Sequence, residues 1–223
     1  MKNPRVLPDD VKVVLDAIRN DVLQLHGRWQ AFNEIYANQE AVDLLNETAP
    51  QFFAFIYDAA LTELIAAIAR KTDKPRVAGK DTLSFQQLAN LLKKNGFKML
   101  SKRINLRVRK LLKNSDKDFV KRRDPLTFYR NNRGSHTNLQ IRTNAAKPLP
   151  DLKVEKFENA LKIFREMLDI TNSAFGIDSV PYTDMSLDSG RLLTMLKAAK
   201  LITESPYFSD ELANWLRTQG LRF

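Results

Sequence analysis

Residues 11–36 read VKVVLDAIRNDVLQLHGRWQAFNEIY. Apolar side chains fall at Val11, Leu15, Ile18, Val22, Leu25, Trp29, Phe32 and Tyr36, in steps of three and four. That alternation keeps one face of a 3.6-residue helix apolar along the whole stretch, where a strand would need steps of two. Pro8, Asp9 and Asp10 supply a start signal ahead of it. Such a seam suits packing along a helical bundle or against a second protomer. Gly27 weakens the middle of the helix mildly. His26 stands beside the seam and is expected to meet solvent.

Working outward, residues 38–50 open a second element. Phe52, Phe53, Phe55, Ile56, Ala59, Ala60, Leu64, Ile65 and Ile68 then cover most of a helix circumference, the mark of a central helix. Asp58 and Glu63 interrupt this run, so a membrane span is not expected. Being five apart, they also point to different sides and make a poor acid/base pair. Residues 75–81 read as a polar loop. Thr82 and Ser84 can each cap the next short helix, with Phe85, Leu88, Leu91 and Leu92 inward and Asn95-Gly96 as its stop. Residues 98–113 are again helical, with Met99, Ile104, Val108, Leu111 and Leu112 on one side and Lys102, Arg103, Lys110 and Lys113 on the other. Asp124-Pro125 restarts a helix that carries residues 130–136. Asp151 opens another, with Phe157, Leu161, Phe164 and Leu168 inward. Short helices around 188–200 and 209–219 follow a loop at 176–184. No repeat and no convincing strand is present, so the expected fold class is all-α.

Composition narrows the partners. The chain has 223 residues, no cysteine, and a net charge of +10. Disulfides, thiolate catalysis and cysteine metal sites are excluded, and a reducing cytoplasm fits. The first ten residues lack the apolar core of a signal peptide. Residues 98–123 hold eleven Lys and Arg against Asp116 and Asp118, nearly the whole excess of positive charge. A concentrated cationic stripe points to nucleic acid or another anionic surface, with Lys102, Arg103, Arg107 and Lys110 as its phosphate-binding candidates.

Directly downstream, residues 128–138 read FYRNNRGSHTN and hold one of the two histidines. There is no phosphate-cradling glycine loop, no nucleophile elbow and no zinc-ligand spacing in the chain. The remaining option is chemistry without a metal. RNA carries its own nucleophile, the ribose 2′-hydroxyl. An enzyme need only accept that proton, return one to the leaving 5′-oxygen, and stabilise the charge on phosphorus. His136 suits the proton transfers; Arg130 and Arg133 suit the charge, and Asn131 can hold a phosphate oxygen or the imidazole. On one helix Arg130 and His136 stand about 120° and roughly 9 Å apart. Two copies facing across a two-fold axis would converge them more easily. Arg133 shares the side of His136. From 126 to 147 there is no Asp or Glu to pair with these arginines.

The motif Arg130-Asn131-Asn132-Arg133-Gly134-Ser135-His136 resembles the signature of HEPN-domain ribonucleases: an arginine, a polar residue after it, and a histidine a few positions on. Residues 46–53, running into the apolar helix that ends at Asp73, resemble the branch associated with phage abortive infection. The similarity covers about residues 11–173. The resemblance implies an all-α, HEPN-like antiparallel bundle, a homodimer with the motif helices at its interface, and metal-independent RNA cleavage. It makes Arg130 and His136 the catalytic pair and Asn131 the polar residue. Some such toxins are silenced by adenylylation of a tyrosine two residues past the histidine; here that position is Asn138.

The expected organisation is a helical bundle over 1–175 with a C-terminal helical extension over 176–223. The expected function is that of a metal-independent endoribonuclease, a toxin or phage-defence effector, with RNA as substrate, no cofactor and no metal. An antitoxin is a candidate partner, and the sequence does not identify one. The other reading is a non-catalytic helical module that binds RNA or protein through the basic stripe.

Overall fold

The computed structural model describes residues 6–113, 154–179, 181–182 and 188–203. Seven helices stand among them: α1 Asp9–Tyr36, α2 Gln39–Thr48, α3 Pro50–Thr72, α4 Phe85–Lys94, α5 Lys98–Lys113, α6 Val154–Phe175 and α7 Ser189–Thr203. The all-α expectation holds. The helices expected around 124–136 and 209–219 lie outside the described residues. The polar loop at 75–81 contains a small surprise: β1 Arg76–Val77 and β2 Lys80–Asp81 pair antiparallel. Ala78 and Gly79 both have positive φ, 49° and 79°, which is what a two-residue hairpin turn requires.

Local sequence explains the helix ends. The Asp10 carboxylate accepts from the Val11 amide at 2.9 Å at the start of α1. Asn38 caps α2 by accepting from the Glu40 amide, and Pro50 occupies the first position of α3, where its missing N–H costs nothing. Of the two residues able to cap α4, Ser84 does so, accepting from Gln87 at 3.2 Å. The stop falls at Asn95, followed by Gly96 at φ 86°. The chain then reverses into α5, and Asn95 reaches back to the Asp10 carboxylate at 3.1 Å.

The described chain divides into two compact units, one of residues 1–29 with 58–185, the other of 30–57 with 186–223. The first is centred on the predicted seam of α1: Val11, Leu15, Ile18 and Val22 are fully buried. Leu64, Ile65 and Ile68 of α3, Phe85 and Leu88 of α4, Ile104 of α5 and Phe164 of α6 complete this core. Phe85 stacks on Phe164 with centroids 5.3 Å apart, and Trp29 on Phe157 at 4.9 Å. Phe157, Leu161, Phe164 and Leu168 are all buried, as their spacing predicts. In the second unit Phe32, Tyr36 and Tyr57 form an aromatic cluster, and the Tyr36 hydroxyl donates to the Phe53 carbonyl at 3.1 Å. Lys197 and Lys200 of α7 pair with Glu40 and Glu47 of α2. The Ser189 hydroxyl and the Gln30 amide both serve Glu34, which lowers the pKa of its carboxyl.

Two expectations need correction. α3 is not central along its length. Leu64, Ile65 and Ile68 are buried, but Phe52 and Phe55 are 57% and 67% exposed. With apolar residues on every side, its sequence carries no periodicity to tell the covered half from the open one. Among the described residues it is the one helix long and apolar enough, by length and composition, to cross a membrane. On α5 the covered row is Leu100, Ile104, Val108 and Leu111, while Met99 is 73% exposed. Neighbouring apolar residues at 99 and 100 offer two registers, and the one continuing the four-residue steps is packed.

Candidate functional site

Arg130, Asn131, Arg133 and His136 lie outside the described residues. The candidates on α5 are described. α5 packs between α4 and α6 through its apolar row, and its sixteen residues contain no acid. Lys102, Arg103 and Lys110 are exposed on the side away from that row. Arg107 has another setting: its Nε donates to Glu166 of α6 at 3.3 Å, and its side chain is 29% exposed.

The α4–α5 reversal creates a cleft of about 430 Å³. Lys93 from the last turn of α4 lines it with Lys98, Lys102 and Arg109 from α5. Among the described residues none of these four cations has a carboxylate partner. Asn105 contributes a polar side chain and Leu106, 65% exposed, an apolar one. Four like charges around one concavity repel each other and attract an anion. Of these, the spacing along α5 identified Lys102 as a phosphate-binding candidate and missed Lys93, Lys98 and Arg109. The available signal was the Asn95-Gly96 stop, because a tight reversal there brings the end of α4 beside the start of α5.

A second cleft, of about 190 Å³, lies between α1 and α3, and its charged side chains are ion-paired with one another. Glu63 accepts from Arg28 at 3.0 Å and from Arg70 at 2.7 Å. Lys71, only 4% exposed, pairs with Asp21 and donates to the Leu83 carbonyl at 3.2 Å. This is a structural network holding α3 against α1. Glu63 therefore serves an ion-pair cluster, in keeping with its poor geometry for acid/base work with Asp58. No three His, Asp or Glu side chains gather as a metal site among the described residues.

His26 is not solvated as its place beside the seam suggests. Its ring lies 5.0 Å from that of Tyr182, and its Nε2 is buried without a partner among the described residues. Burial, aided by the charge of Arg165 and opposed by a hydrogen bond with the Leu161 backbone, lowers its pKa to about 4. Tyr182 is pushed up to about 12, by burial first and Asp169 second, against Arg19 and Arg165. At neutral pH both groups are uncharged, as groups covered by packing are expected to be. The cover comes from Tyr182, far along the chain, which the α1 periodicity could not reveal.

The described residues form an all-α fold, consistent with a HEPN-like helical domain. The family model described as HEPN_AbiU2, AbiU2, matches residues 9–193, and the chain belongs to that family, a HEPN-domain family associated with abortive infection. The match runs beyond residue 173, where the resemblance read from the sequence stopped. No curated protein and no solved structure matches the chain.

Proposed function

We propose that this chain is a metal-independent endoribonuclease that acts as a homodimeric toxin or phage-defence effector in the cytoplasm. The observation that carries the reading is the family match over residues 9–193, which includes an intact Arg130, Asn131 and His136. In this reading His136 accepts the 2′-hydroxyl proton as the ribose oxygen attacks phosphorus. The P–O5′ bond breaks, a proton goes to the 5′-oxygen, and a 2′,3′-cyclic phosphate remains. Arg130 and Arg133 hold the phosphate oxygens as charge builds on them, and Asn131 orients the phosphate or the imidazole. Two motif segments facing across a two-fold axis would bring the pair together, because on an ideal helix the two residues would stand about 120° apart.

The test is incubation of purified protein with total RNA in EDTA, followed by mapping of the new ends. Wild type should leave cyclic-phosphate termini, and His136→Ala and Arg130→Ala should leave the RNA intact while keeping the wild-type circular dichroism spectrum. Cleavage that requires Mg²⁺, or that survives both substitutions, rejects the mechanism.

A further inference from the structure

We infer that the cleft between α4 and α5 is a binding site for the backbone of single-stranded RNA, with Lys93, Lys98, Lys102 and Arg109 as its phosphate contacts. Its being RNA, and not another polyanion, rests on the endoribonuclease reading; the anion site itself does not. The four cations come from two helices and line one concavity without carboxylate partners among the described residues. A solvated helix face normally mixes signs, and α5 carries none of the opposite sign.

Two features select a flexible strand over a single small anion or a duplex. From Lys98 to Arg109 the helix axis runs about 16 Å, which is longer than one phosphate and suits consecutive nucleotides. Beside the cations, Met99 and Leu106 are 73% and 65% exposed. Unpaired bases turned out from a bound backbone would cover these two side chains, whereas a duplex keeps its base faces stacked inside. Lys93 is the decisive cation of the four. It belongs to another helix, so its presence makes the site a product of the fold and not of a basic run in the sequence.

The test uses the full chain carrying His136→Ala, so that RNA is not consumed, and a fluorescent oligouridylate as probe. Binding is measured by anisotropy over a range of salt concentrations. Replacing Lys93, Lys98, Lys102 and Arg109 with Gln should weaken binding roughly 10- to 100-fold and flatten the log–log salt slope by about 3, since each single-strand phosphate contact contributes about 0.7. Lys74→Gln with Lys80→Gln, near the hairpin, should change neither. Photocrosslinks from 4-thiouridine should map to peptides containing Met99 or Leu106, a readout that needs no variant. Equal binding by the quadruple variant overturns the inference, as does tighter binding to duplex RNA, to anionic vesicles or to polyglutamate. If the wild type cuts RNA while the quadruple variant binds it normally, the cleft assignment falls and the nuclease reading stands. If nothing is cut but binding depends on the cleft, the nuclease reading falls and the site stands.

Discussion

Acidifying the protein from about pH 7 to about pH 5 probes how firmly α1, α6 and the Tyr182 segment close over His26. In the unfolded chain this imidazole takes up a proton near 6.5, while in the fold burial and Arg165 hold it neutral down to about 4. Between those values the unfolded state binds more protons, so stability climbs with pH through this window and is lost as pH falls. His26 contributes its full share above about pH 6.5, has lost about 2 kcal/mol of it by about pH 5, and loses about 3 kcal/mol in all below about pH 4. Urea unfolding of wild type and His26→Phe at matched pH values isolates this share, because all other groups titrate in both proteins. The aromatic replacement keeps a ring against Tyr182 and removes the proton site. Near neutrality the two should differ by little more than the lost hydrogen bond to the Leu161 backbone, about 1 kcal/mol. By about pH 5 the wild type should have fallen behind its neutral value by about 2 kcal/mol more than the variant. Parallel pH profiles for the two proteins would refute the buried, neutral imidazole.

The Lys71–Asp21 pair should respond asymmetrically, because Lys71 is enclosed and Asp21 is 42% exposed in its side chain. Asp21→Asn strands a buried ammonium and should cost about 3 kcal/mol, whereas Lys71→Met lets the carboxylate rehydrate and should cost about 2 kcal/mol, both read from urea midpoints. Ser84→Ala removes the α4 cap and should cost about 1 kcal/mol in the same assay, with the far-UV spectrum unchanged.

The parts of the fold that could be read from sequence share one property: their physics is local. The α1 seam, the Ser84 cap, the Asn95-Gly96 stop and the inward face of α6 each follow from side chains a few positions apart. α3 resisted because a helix apolar on all sides carries no directional signal, leaving the exposure of Phe52 and Phe55 to whatever packs nearby. His26 and Arg107 resisted for a different reason. The partners that decide their character, Tyr182 and Glu166, come from distant positions, and the spacing around each residue points to solvent. On α5 the charge was visible as a stripe, but the concavity was not, because Lys93 belongs to the helix before the turn. The motif at 130–136 was read as chemistry from its residue types alone, and it lies outside the described residues.

The enclosure of Lys71 gives the protein an internal clock. Amine-reactive reagents modify lysines that water can reach, and this ammonium, with its tie to Asp21 and the Leu83 carbonyl, is held out of reach while α3 stays seated on α1. Acetylation at this one position, followed by mass spectrometry against the surface lysines of the same molecule, would therefore time the opening of that helix pair with no engineered probe.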